Sequence, residues 1–422
     1  MSPDRQVAHR RDLPMCDVEE PRHAAPWAGS SAGGCLAASV WHLGNPLRTD
    51  LRRWRCVGAA MPRFRGGAVV ASGPDMTVQP VERAPSPRER LEPQEAVVLR
   101  SFGGPEGFEL CAQPMPTAQR GEVRVRVLAA CVQFTDVIIR KGKYPGLRQK
   151  PPLVLGYDVI GEIDCVGLGD VAFRVGERVA ALTVTGSYAR YRTLTATDLV
   201  RVPRDVDPAE AATLVLSWTT AHQLLHREAQ VKPGQCVLVH GAAGAVGQAL
   251  VSLGKLAGLE VWGTARREQA DLVRALGATP IDFASQAPLD VVPGGFDVVF
   301  DGIGEHGFHD SWACVKRGGM LCAFGFSDSV RHRGSVVALG AALVKLQLWN
   351  AFGHARARFY SVDDERKAHH AWFRADLEAL FGLLSKRAIA PRVAERIGLD
   401  EVAAAHRRVE AGHLNGKIVI CP

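Results

Sequence analysis

Residues 236–258, "CVLVHGAAGAVGQALVSLGKLAG", restrict the fold more than any other part of this 422-residue chain. A short β-branched run passes through a glycine-alanine loop into a segment of helical apolar period. Such a strand and helix bury their apolar faces together only when the helix folds back on a sheet, as in a βαβ unit. Within the loop, Gly244 and Gly247 keep the last two glycines of a G-x-G-x-x-G fingerprint, and Ala242 stands at the first. Gly244 removes a Cβ where a pyrophosphate would press on the backbone, and Gly247 allows close packing of helix on strand. Ala245 and Val246 then open a helix whose free N–H groups and positive dipole end favour an anion. The loop therefore predicts a dinucleotide site.

The second strand indicates which dinucleotide. A 2′-hydroxyl is bound by an Asp or Glu at that strand's end, whereas this chain reads "WGTARRE", with Thr264, Arg266 and Arg267. Guanidinium groups there suit a 2′-phosphate, so NADPH is expected over NADH.

Around this unit the chain changes texture. Residues 1–92 are rich in Arg, Pro, Gly, Ser and Ala without sustained periodicity, and are expected to be disordered or a leader upstream of a later start at Met61 or Met76. Alternating β-rich stretches run from 93 to about 195, and 208–225 reads as an apolar-faced helix. From there strands alternate with helices, ending in "DEVAAAHRRVEAG" and "GKIVICP". The expected class is α/β, a mostly-β domain followed by a doubly wound parallel sheet. A net charge of +7 of mixed sign argues against a nucleic-acid surface, and no apolar segment is long enough to span a bilayer. Ten scattered cysteines without a C-x-x-C pair read as reduced thiols in a cytoplasmic protein.

In order, "CVQFTDVIIRKGKYPG", "LGYDVIGEIDCVG", "GSYARYRTL", "AATLVLSWTTAHQLL", "VLVHGAAGAVGQAL" and "GKIVI" resemble the medium-chain dehydrogenase/reductase superfamily, and within it the zinc-free quinone oxidoreductase and ζ-crystallin branch. The resemblance implies a GroES-like catalytic domain over 93–216 plus 358–422, a Rossmann NADPH-binding domain over 217–357, and a homodimer. It also implies that Gln133 replaces an Asn that approaches the nicotinamide, that Tyr144 and Thr219 line that pocket, and that Phe324-Gly325 ends the strand passing over the ring. Where zinc-dependent relatives carry Gly-His-Glu, this chain has Gly156-Tyr157-Asp158. The His ligand is missing, Cys131 alone builds no site, and no metal is expected. Cys131 reads as a small core residue and Asp158 receives no catalytic role.

The implied chemistry is hydride transfer to a small hydrophobic quinone or α,β-unsaturated carbonyl, with Tyr144 or the Gln133 amide as candidate donors to the developing oxygen charge. The alternative is a weakly catalytic or non-catalytic NADPH-binding interaction protein resembling the vesicle amine transport protein. The long apolar segment 334–360 leaves open a pocket wall, a subunit surface or a membrane contact, and Lys345 within it favours the first two.

Overall fold

The structure, a computed structural model, describes residues 13–16, 92–145, 147–304, 308–325, 336–412 and 414–422. Most of residues 1–92, expected to be disordered or a leader, lies outside these.

The mostly-β part begins with β1 (Gln94–Leu99), β2 (Phe108–Gln113), β3 (Glu122–Cys131), β4 (Leu153–Val154), β5 (Asp158–Val166), β6 (Arg178–Leu182), β7 (Tyr191–Thr195) and β8 (Val200–Arg201). Next come β9 (Cys236–His240), β10 (Glu260–Ala265), β11 (Thr279–Asp282), β12 (Phe296–Asp301), β13 (Val315–Ala323) and β14 (Arg356–Phe359), and the chain closes with β15 (Val393–Ile397) and β16 (Lys417–Ile420). Strands β9 to β14 form one parallel sheet in the order β11-β10-β9-β12-β13-β14, whose winding reverses between β9 and β12. That reversal is the switch point at which α/β sheets bind ligands. The remaining strands form a sheet ordered β15-β16-β3-β5-β6-β8, with β7 on β3, and a smaller one ordered β2-β1-β4. This is the GroES-like plus Rossmann architecture expected.

The last strand completes the first domain. β16 pairs antiparallel with β3, Val419 opposite Cys131, and the Val132 N–H donates to the Ile418 carbonyl at 2.9 Å. Residues about 290 positions apart in sequence thereby share one sheet, and Lys417 arrives beside Gln133.

Three local features differ from expectation. The helical run over 208–225 continues to Glu228 and contains two π-turns, Leu214–Trp218 and Leu224–Glu228. Its start matches the sequence, with Pro208 in the first turn and Asp207 accepting from the Ala209 and Glu210 N–H groups. The Rossmann sheet runs to Phe359, past the boundary expected at 357, because β14 pairs with β13 from Met320↔Arg356 to Ala323↔Phe359. Finally, Cys16 and Cys111 are joined by a disulfide. Residues 13–16 lie along β2, the Cys16 N–H donating to the Ala112 carbonyl and the Ala112 N–H to that of Pro14. The reading of reduced thiols throughout is therefore corrected, and with it the cysteine argument for the cytoplasm. A pairing over 95 residues leaves no spacing pattern to read. Among the described residues six cysteines are free.

Segment 334–360 folds as the helix Val336–Phe352 followed by β14. Ala342 and Leu346 are buried in a core cluster with Phe308, Trp312 and Cys314, while Val344, Leu348 and Phe352 are exposed. No helix among the described residues is long and apolar enough to cross a membrane.

Candidate functional site

The glycine loop sits at the carboxyl end of β9, at the switch point. Gly241 has φ +70° and Gly244 caps the helix Ala245–Leu256, its N–H donating to the Gly241 carbonyl at 2.9 Å. A Cβ on Gly247 would lie 2.2 Å from the Gly241 oxygen and 2.8 Å from Ala242 Cα. Gly247 thus lets the helix close on the loop itself, more than on the strand. Ala242 fits at the fingerprint's first position because its methyl occupies the space beside Gly263 of β10. A Cβ on Gly263 would stand 2.5 Å from that methyl. Gly247→Val is expected to lower stability by about 1–3 kcal/mol through overpacking and to abolish dinucleotide binding. Thermal unfolding and an NADPH titration check this, and unchanged affinity would count against the loop as a cradle.

Thr264 serves the loop as well. Its hydroxyl accepts from the Gly241 N–H at 3.0 Å and meets His240 Nδ1 at 3.2 Å, and its carbonyl accepts from Ala242 N–H at 2.9 Å. Of the three residues marked on the second strand, Thr264 is buried, Arg266 half-buried and Arg267 exposed. Arg266 caps the turn Arg267–Gln269, and Arg267 opens it.

At the neighbouring strand ends, Asp301 accepts from the Ile303 N–H at 2.7 Å, the Gly304 N–H at 3.1 Å and the Ser311 hydroxyl at 2.6 Å. Phe324 and Gly325 pack on Gly302, where a Cβ would lie 2.5 Å from the Phe324 ring, and Ile303 approaches Gly241. Phe324-Gly325 thus lies just past the end of β13, against the turn after β12 whose Ile303 approaches Gly241.

Thr219 is fully buried inside the helical run, and its hydroxyl donates to the Leu214 carbonyl at 3.0 Å. The π-turn supplies the acceptor for this hydrogen. The Gln133 amide is likewise spent inside the protein. Its nitrogen donates to Asp158 Oδ2 and its oxygen accepts from Lys417 Nζ, while Asp158 Oδ1 accepts from the Cys131 N–H at 2.7 Å. Gln133 is 1% exposed. The side chain that stands where the family has a shorter Asn reaches across to Asp158 and Lys417. Burial raises the Asp158 carboxyl to about 6 and lowers the Lys417 ammonium. Cys131 is buried beside them, and its thiol is held high by burial and then by Asp158. Lys417 lines a small cavity with Ser217, Trp218, Ala245 and Gln248, which joins this polar cluster to the start of the phosphate-loop helix.

Tyr144 keeps a partly exposed position, and its hydroxyl lies 2.6 Å from that of Tyr157. Burial raises Tyr144 to about 12, and carboxylates of Asp363 and Asp364 add to this. Sequence reasoning passed over Lys417 and noted Tyr157 only as the residue in place of a zinc ligand. Their signals were the Tyr in Gly-Tyr-Asp and the Lys in "GKIVI".

Comparisons with known proteins identify the family. The family described as alcohol dehydrogenase GroES-like domain matches residues 119–204, and that described as zinc-binding dehydrogenase matches 276–420. A 2-haloacrylate reductase from a Burkholderia species is 32% identical, over 78% of this chain and 98% of its own. A quinone oxidoreductase from Pseudomonas aeruginosa is 30% identical, over 77% and 99%. The solved structure of a mycobacterial protein complexed with NADPH superposes with a TM-score of 0.67 at 30% identity, covering 78% of this chain and all of that one.

Proposed function

We propose, since this chain belongs to the quinone oxidoreductase-like branch of the medium-chain dehydrogenase/reductase superfamily, that it is an NADPH-dependent, zinc-independent reductase of quinones or α,β-unsaturated carbonyls. The observation that carries the reading is the cradle at 241–247, where a Cβ on Gly247 would strike the Gly241 and Ala242 backbone and the helix Ala245–Leu256 begins at a strand switch point. Gly244, Ala245, Val246 and Gly247 would hold the pyrophosphate, Arg266 and Arg267 the 2′-phosphate, and Phe324-Gly325 the nicotinamide side. Thr264 holds the loop in shape. Bound NADPH supplies the hydride equivalent.

The chain's own residues position, shield and protonate. Hydride arrival at an enone or quinone builds negative charge on the substrate oxygen, which a nearby hydroxyl stabilises and then neutralises. Tyr144, on the loop after the helix Phe134–Arg140, is the donor of this reading. Zinc independence rests on chemistry at the ligand position. A tyrosine replaces the imidazole, and Asp158 is occupied by Cys131 and Gln133. A homodimer fits the edge position of β14 and the exposed Val344, Leu348 and Phe352 beside it.

Stopped-flow loss of NADPH absorbance against a panel of quinones and enones tests the function. Oxidation with at least one substrate class is expected. Tight binding without oxidation across the panel would overturn it in favour of an NADPH-binding interaction protein.

A further inference from the structure

We propose that Tyr157 is a positioning residue for proton delivery: its hydroxyl donates to the oxygen of Tyr144, turns the Tyr144 hydrogen outward, and holds the charge left when that proton departs. The proposal rests on the reductase reading above.

Tyr157 is placed rigidly. It follows Gly156, at φ +114°, where a Cβ would lie 2.7 Å from Ser187 Cβ, and its carbonyl accepts from the Thr183 and Val184 N–H groups at 2.8 and 3.2 Å. It is 2% exposed and belongs to the main core. Among the described residues its hydroxyl has one partner, Tyr144, at 2.6 Å, with the rings edge to face at 70°. A buried hydroxyl with a single partner donates to it, because an unmet O–H costs more than an unmet lone pair. Tyr144 therefore accepts, and its own hydrogen is released from the pair. Tyr144, being partly exposed, has somewhere to point it.

Burial pushes both hydroxyls up, Tyr157 well above its ordinary value, so Tyr144 is the member of the pair that parts with a proton. Facing Tyr144 are the carboxylates of Asp363, Asp364 and Asp136, all opposing its ionisation, and Asp363 is paired with Arg366 and Lys367. Against that field a fixed O–H donor is the group that stabilises a phenolate.

The step balances. The Tyr144 O–H bond breaks, its proton bonds to the reduced substrate, and the phenolate keeps the electron pair within the Tyr157 hydrogen bond. Water reprotonates Tyr144 after product leaves. The two electrons of the reduction come with the hydride from NADPH.

The test is a double-mutant cycle with a second readout on cofactor-free protein. Y157F is expected to slow single-turnover reduction at saturating NADPH roughly ten- to hundredfold with little change in KM, whereas in a Y144F background it should cost less than about twofold. In protein labelled with 13C at the Cζ of its five tyrosines, the alkaline titration of Tyr144 should move upward in Y157F. Equal losses in both backgrounds, or a Tyr144 titration that stays or falls, would overturn the proposal. If the wild-type protein binds NADPH and oxidises none, the reductase reading fails, and the titration still decides the direction of the hydrogen bond.

Discussion

Asp136→Ala is expected to lower the unfolding free energy by about 3–5 kcal/mol, the largest single-residue effect foreseen in this protein. Asp136 is completely buried, and its carboxylate accepts from the Gln133 N–H at 2.9 Å, the Tyr188 hydroxyl at 3.0 Å and the Gly156 N–H at 3.3 Å. Truncation strands three donors inside the core and uncaps the helix Phe134–Arg140, which leads to Tyr144. Burial, reinforced by the neighbouring Asp158, raises the Asp136 carboxyl to about 7. A folded-state value above the ordinary carboxyl range means that the native protein binds this proton more tightly than the unfolded chain does. The stability it contributes is fully present below about pH 4 and is lost as the pH rises through about 7. Acidification across that window is therefore expected to stabilise this site, against the usual trend, and Asp136→Asn should flatten the slope. Chemical denaturation of the wild type and both variants at pH 5 and pH 8 checks both statements. A loss below about 1 kcal/mol for Asp136→Ala, or an unchanged slope in Asp136→Asn, would contradict them.

Replacing Arg266 and Arg267 together by alanine is expected to weaken NADPH binding roughly hundredfold or more while leaving NADH within about twofold, since each guanidinium–phosphate contact is charge-assisted. Both arginines follow β10, whose last residues hold the glycine loop through Thr264, so the substitutions leave the cradle itself intact. Fluorescence titration of both nucleotides at one fixed ionic strength makes the comparison. Equal weakening of NADPH and NADH would defeat the 2′-phosphate assignment.

How far the site could be read in the sequence depended on how far apart its partners lie. The glycine loop and the arginines after β10 are local patterns, since strand, turn and helix start are neighbours along the chain. Tyr144 and Phe324-Gly325 were reached through ordered motifs, which carry position but no contacts. The partners of Gln133 and Thr219 were not legible for one physical reason: each polar side chain found a buried partner from outside its local window or from a π-turn, Asp158 with Lys417 in one case and the Leu214 carbonyl in the other. A side chain's orientation is set by the acceptor that it meets, and neither a π-turn nor a C-terminal lysine opposite β3 is visible in a local window. The Cys16–Cys111 bridge escaped for the same reason.

By itself the sequence determined the α/β class, the strand–loop–helix cradle, and the cationic end of the second strand, because these follow from residue type and short spacing. Only the tertiary structure decided that β16 closes the first domain and brings Lys417 to Gln133, that Gly263 makes room for Ala242, and that two tyrosines meet at their hydroxyls. Each of those is a contact between distant segments, and contacts of that kind are chosen by packing and hydrogen-bond satisfaction across the whole core.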